Sequence, residues 1–272
     1  MSARDLKSTN GFLLSDFKYL MAYSIPLTAL IGFYLGGYWL FTTPFYIFVI
    51  IPIVEFLLTR YGIDELETHR AEKGIHWLFD LMLYLNILIV FGLLIYSLTK
   101  IVSFEFISIE FLGSLLSFGL VLASNGINVA HELCHRINTP ERILGKFLLI
   151  PSLYMHFYLE HNYGHHLKVA TKEDPVTAKY NEPLYSFWIS AIIGELFGAI
   201  EIQKNMISRK NISFFSVYND MFWYMIIQLS YIFLIFILFG IKGLTFCLLA
   251  ALFSVLMFES VNYIEHYGLL RK

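Results

Sequence analysis

Residues 19–59 hold a single charged side chain, Glu55. As one helix these 41 residues would reach about 61 Å, twice the roughly 30 Å of a bilayer's hydrocarbon core. Gly36, Gly37, Thr42, Thr43 and Pro44 stand in the middle and supply a break, so the run predicts a tight helical hairpin. The run lacks a small-residue cleavage site after a short apolar core and reads as a retained span rather than a signal peptide. Four further apolar runs follow at 77–98, 106–130, 221–241 and 243–264, and their few acids (Asp80, Glu110, Glu259) sit mostly near an end. Helices are the form in which such runs satisfy their backbone in lipid. The expected fold class is an all-α membrane protein: six transmembrane helices and a histidine-rich helical cap on the cytoplasmic side, in a single integral-membrane domain over 1–272.

Composition agrees with a lipid environment. Hydrophobic residues make up 57% and charged residues 15%, where soluble domains run about 45–50% and about 25%. A net charge of −2 with no basic stripe argues against nucleic-acid binding. Cys134 and Cys247 are too few for a disulfide framework.

Lysine and arginine fix the expected orientation. The lead (Arg4, Lys7, Lys18), the second connection (Arg60, Arg70, Lys73), the connection from Arg136 to Lys210 and the tail (Arg271, Lys272) hold seventeen; the alternate connections hold only Lys100 and Lys242. By the positive-inside tendency both termini are cytoplasmic. The stretch 184–202 is fairly apolar but contains Glu195 and Glu201 and has basic flanks on both sides. A helix lying in the membrane interface fits it better than a seventh span.

Six of the nine histidines fall between 131 and 166, and under this topology all nine lie on the cytoplasmic side. Ionisable groups gathered at the mouth of a helix bundle mark a functional site. His131-Glu132-Leu133-Cys134-His135 closes the fourth span, and its histidines at i and i+4 share a helix face. Asn128 extends that face inward. Glu160-His161-Asn162-Tyr163-Gly164-His165-His166 repeats the spacing: α-helical periodicity pairs His161 with His165 and turns His166 about 100° away. At the end of the sixth span Glu259, Asn262 and His266 share a face.

The first pair, taken alone, fits the H-E-x-x-H pattern of zinc proteases. Five clustered imidazoles plus His266 are too many for one zinc, however, and two metals accommodate them. Imidazole suits iron, zinc, copper and nickel alike; an apolar cavity beside two metals favours redox chemistry on a lipid-like substrate. Glu132, Glu160 and Glu265 each adjoin a candidate ligand, and two readings stay open: solvated acids, or acceptors that orient an imidazole N–H. Glu259 reads as a buried hydrogen-bonding acid, His156 as a supporting or packing residue, Cys134 as packing, and His69 and His76 as interfacial histidines.

These three histidine segments resemble the membrane-bound alkane 1-monooxygenases of the fatty-acid desaturase and hydroxylase superfamily. Asn262-Tyr263-Ile264-Glu265-His266-Tyr267-Gly268-Leu269 is the most diagnostic, because desaturases generally lack it, and Ala170-Thr171-Lys172-Glu173-Asp174-Pro175 is similar to the stretch after the family's second histidine box. The resemblance implies an enzyme of a bacterial inner membrane with two non-haem iron ions. It would insert one atom of O2 into a terminal C–H bond of a medium-chain alkane, with electrons from a rubredoxin served by an NAD(P)H-dependent reductase. It makes His131, His135, His161, His165, His166 and His266 iron ligands, three per iron if shared equally. Cys134 stands where the family usually has Gly, and Tyr163 where Arg is common. The family carries a further paired-histidine box after the third motif, so the chain is expected to be the N-terminal portion of a longer enzyme and inactive by itself. Alternatives are a related fatty-acid desaturase or hydroxylase, an aromatic-methyl monooxygenase, an intramembrane zinc metalloprotease and a non-catalytic metal-binding membrane protein.

The charge distribution generates a direct test. Topology reporters fused after Leu98 or Ile241 should report the periplasm, and fusions within 136–210 the cytoplasm. A periplasmic signal from 160–180 would overturn the orientation.

Overall fold

The computed structural model describes residues 20–60 and 76–271; His69, Arg70 and the basic lead lie outside them. Among the described residues all regular secondary structure is helical. The elements are α1 (Ser24–Leu35), α2 (Gly37–Arg60), α3 (His76–Ile101), α4 (Ile109–Cys134), α5 (Thr139–Leu148), α6 (157–168), α7 (Leu184–Ser208) and α8 (Asp220–His266).

The predicted hairpin break is narrower than the sequence suggested. Gly36 and Gly37 take φ of 72° and 55°, the left-handed backbone that favours glycine. The chain then re-enters helix at once, so Thr42, Thr43 and Pro44 lie inside α2 rather than in the turn. The last two predicted spans are arms of one element. α8 runs 47 residues and is broken only at Gly240, φ 64° and ψ −163°. Straight, it would measure about 70 Å; bent at Gly240 it folds back as two membrane-length arms.

Among the described residues five helices are long and apolar enough to cross a membrane: α2, α3, α4, α7 and α8. This differs from the predicted six in three ways. The first apolar helix, Leu20–Leu35, is shorter than a full span; α8 carries two predicted spans in one kinked element; and α7 is itself long and apolar enough to count.

The turns collect at one end of the bundle. There Lys242 Nζ donates to the Phe104 carbonyl at 2.8 Å, linking the α3–α4 loop to the bend of α8, and Ser117 Oγ donates to Leu40 O at 2.5 Å. The opposite end is polar. Arg136 meets Asp80 at 3.4 Å, Tyr84 donates to Glu141 at 2.9 Å, and Lys146 approaches Asp220 at 3.9 Å. The histidine segments lie at this polar end.

α4 is the most enclosed of the long helices. Ser108 caps it, accepting from Phe111 N at 3.1 Å, and Glu110 in the first turn complements the helix dipole. Because lipid removes the hydrophobic drive between helices, close approach at small residues holds them instead. A Cβ on Gly145 of α5 would lie 2.8 Å from Cys134 Sγ and 3.0 Å from Ala130 O, so α5 rests directly on the last turn of α4. Gly145→Ala should therefore cost about 1–3 kcal/mol, read as a lower unfolding temperature in detergent; an unchanged temperature would mean that the contact does not limit packing.

Candidate metal centre

Two segments bring four of the histidines together, and each contains a π turn: in α4 it ends four residues before His131, and in α6 it begins at His161. α4 contains a π turn at Leu122–Ile127, where the Ser124 hydroxyl donates back to Leu120 O at 2.8 Å. It delivers His131 and His135 to the polar end of the bundle, their Nε2 atoms 3.0 Å apart. α6 contains a second π turn, His161–His165. Widening the coil brings i and i+5 onto one face. His166 consequently meets His161, Nε2 to Nε2 at 3.1 Å. This corrects the α-periodic reading: His166 faces His161, and His165 turns its ring nitrogen elsewhere.

His135 Nε2 lies 3.0 Å from His131 Nε2, 3.0 Å from His161 Nε2 and 3.2 Å from His166 Nε2. A neutral imidazole nitrogen offers one proton or one lone pair, so it cannot hydrogen-bond to three others. All four Nε2 atoms lie within 4.8 Å of one another. Two nitrogens each about 2.1 Å from one cation, at right angles across it, stand about 3.0 Å apart. The donor set therefore fits a single metal ion. Protonation fits as well. Burial holds His135, His161 and His166 below the ordinary imidazole range, and neighbouring histidines lower the last two further. The rings stay neutral, the form that binds a metal.

His165 and His266 form a second pair, ring centroids 5.0 Å apart. His165 Nδ1 lies 3.0 Å from Asp174 Oδ2, which leaves Nε2 as its ligand nitrogen. Burial alone would lower the His165 pKa, but the hydrogen bond and charge of Asp174 outweigh burial and raise it. Burial would raise Asp174 in turn; hydrogen bonds from His165, Thr177 and Val176 N more than offset that, and its pKa falls. Asp174 escaped notice as a site residue because it lies in a loop, where no periodicity relates it to His165; the resemblance of Ala170–Pro175 was its one signal.

The other candidates divide. Glu132 is exposed and paired with Arg136 at 3.1 Å, so it orients no imidazole. Glu265 and Asn128 are exposed, and Asn128 extends no buried polar face. Glu160 is buried, wedged against Gly164 and Gly198, with Oε2 unpartnered. Burial first, then the Asp174 charge, pushes its carboxyl up to about 7. His156 is buried with Nε2 unpartnered, and burial holds it down at about 4. It borders a cavity of about 530 Å³ lined with Leu153, Met225, Leu229 and Ile232. Glu259 is fully buried; Asn262 Nδ2 donates to both its oxygens at 3.2 Å, and its Oε1 lies 3.3 Å from the Tyr154 hydroxyl. The same hydroxyl bonds Glu195 of α7. Sequence reading took Glu195 only as an argument against a span.

Residues 107–272 match the family model for fatty acid desaturases. The chain is 38% identical over 152 residues to the alkane 1-monooxygenase of Acinetobacter baylyi, covering 55% of this chain and 37% of that protein. It is 31% identical over 254 residues to alkane 1-monooxygenase 1 of Alcanivorax borkumensis, covering 91% and 62%. Over 269 residues it is 26% identical to the xylene/toluene monooxygenase hydroxylase component of Pseudomonas putida, covering 95% and 69%. It thus spans between 37% and 69% of the length of these three relatives.

Asp174 provides a test that needs no substrate. Asp174→Asn keeps the shape but removes the charge behind His165, and should weaken metal binding by about 10–100-fold in a chelator competition assay. Retention equal to wild type would show that His165 needs no anchoring.

Proposed function

The chain belongs to the fatty acid desaturase family, and from that premise we propose that it forms the membrane part of a non-haem di-iron monooxygenase that hydroxylates the terminal carbon of medium-chain alkanes. The observation that carries this reading is the convergence of four imidazole nitrogens at the polar end of an apolar helix bundle. One oxygen atom of O2 enters the C–H bond and the other leaves as water. Two electrons come from a rubredoxin recharged by an NAD(P)H-dependent reductase.

His131, His135, His161 and His166 hold one iron, and His165 and His266 belong to the second. Bound iron supplies the reduction of O2, which a purely organic site cannot perform. Asp174 holds His165 at Nδ1 and leaves its Nε2 as the nitrogen that would ligate a bound iron. The apolar helices hold the alkane and keep water from the reacting carbon. The histidine end faces the cytoplasm of a bacterial inner membrane, with both termini on that side and α7 along the interface; the uneven division of lysine and arginine supports this orientation.

The similarity to a xylene/toluene monooxygenase component favours, as a second reading, a methyl group on an aromatic ring as the carbon attacked. The zinc-protease reading has less support, because its general base would be Glu132, which Arg136 engages at 3.1 Å.

Metal analysis and product analysis test the reading together. The full-length protein purified in mild detergent should hold two irons and convert an alkane to its 1-alcohol. His165→Ala should lose iron and activity while the helices stay inserted; Glu132→Gln should keep both. One zinc and no iron, with loss of activity in Glu132→Gln, would transfer the site to the protease reading.

A further inference from the structure

The Tyr154 hydroxyl touches two carboxyl groups, Oε2 of Glu195 and Oε1 of Glu259. Glu195 is 1% exposed and Glu259 fully buried. Among the described residues neither has a lysine or arginine within ion-pair distance. The two carboxyls come from α7 and α8, and Tyr154 from the turn before α6, so three separate elements bring them together.

Counting protons decides the state of this triad. A tyrosine hydroxyl has one proton to donate, and an ionised carboxylate can only accept. Tyr154 can satisfy one carboxylate as a donor. Its contact with the other is a hydrogen bond only if that carboxyl carries a proton and donates to the phenol oxygen. Asn262 selects between them. Its Nδ2 donates to both oxygens of Glu259 at 3.2 Å, which suits the anion. Glu195 Oε1 is buried with no partner, a costly position for a carboxylate oxygen and a much cheaper one for the carbonyl oxygen of a neutral acid.

We infer that Glu195 holds a proton inside the bundle and passes it through the Tyr154 hydroxyl to Glu259, so that the triad is a proton store for the histidine site. The inference rests on the proposed monooxygenase reaction, which consumes two protons and two electrons for each O2 as one oxygen atom becomes water. The electrons come from the external one-electron carrier protein. Two protons are needed in each cycle, and the buried triad gives one of them a place to wait out of contact with water. In each transfer the Glu195 O–H bond breaks as a bond to the phenol oxygen forms, while the phenol's own proton moves to Glu259 Oε1. Glu259 lies within electrostatic reach of His165, Asp174 and Glu160. Glu195 and Tyr154 touch no candidate ligand and act here as positioning residues for the proton.

Infrared spectroscopy and turnover test this in the full-length protein. At about pH 9, where Glu160 with its carboxyl at about 7 is ionised, the wild type should show the C=O stretch of a protonated carboxylic acid, shifted in D2O. Glu195→Gln still donates to Tyr154 but cannot release a proton. It should lose that band, keep its metal and its KM for alkane, and turn over about 10²-fold more slowly, with O2 use diverted to peroxide. Tyr154→Phe should keep the band, moved to the position of a free acid, and slow turnover likewise. Glu195→Asp should recover part of the rate. Absence of the band in wild type, its persistence in Glu195→Gln, or wild-type turnover by that variant would overturn the proton store. A wild type that shows the band but hydroxylates no alkane would remove the proposed reaction and leave the shared proton in place.

Discussion

Four imidazole nitrogens facing one point, with no carboxylate among them, repel any added proton. Such a contact persists only where backbone on every side holds it. One pair stands on the last turn of α4, which α5 braces through Gly145. The other stands on α6, which packs against α7. The bundle thus serves as a scaffold whose rigidity is spent at one end. Geometry of this kind has to be held closely, because small displacements of a ligand are costly.

Polar groups inside the helices supply much of that rigidity. Asn125 donates to Asn86 at 2.9 Å and to Ala22 O at 3.2 Å, tying α4 to α3 and to the start of the chain's first helix. Trp188 Nε1 donates to Ser260 at 3.1 Å, tying α7 to α8. In an apolar surrounding such bonds fix the rotation of one helix about another, which packing of leucine against leucine leaves loose.

Much of the helical framework was legible from where charges are missing. The run before Thr59, the glycines at its middle and the apolar stretches after Trp77 mark out helices because lipid forbids alternatives. The segment 184–202 was harder. Its two acids and basic flanks read as a reason to lay it along the interface, and they gave no sign that Glu195 turns inward to Tyr154 and is covered. A buried acid and a solvated one look alike in a sequence when the partner is a tyrosine forty-one residues away.

At the site, the histidine spacing located the clusters but assigned the wrong partner within one of them. Periodicity presumes 3.6 residues per turn, and α6 breaks that rule between His161 and His165. Nothing in the composition of that segment announces a π turn. The local backbone accepts it because the imidazole cluster and the Glu160 carboxyl, set against Gly164 and Gly198, surround the widened coil.

A π turn is equivalent to one residue inserted into an α-helix. His166 therefore meets His161 across five places where an ordinary helix would use four. Losing one codon inside 162–164 would restore ordinary winding and bring His166 to four places along, with every histidine still present. The same two imidazoles would still face each other, so the contact outlives a change of length that shifts every other register in the segment.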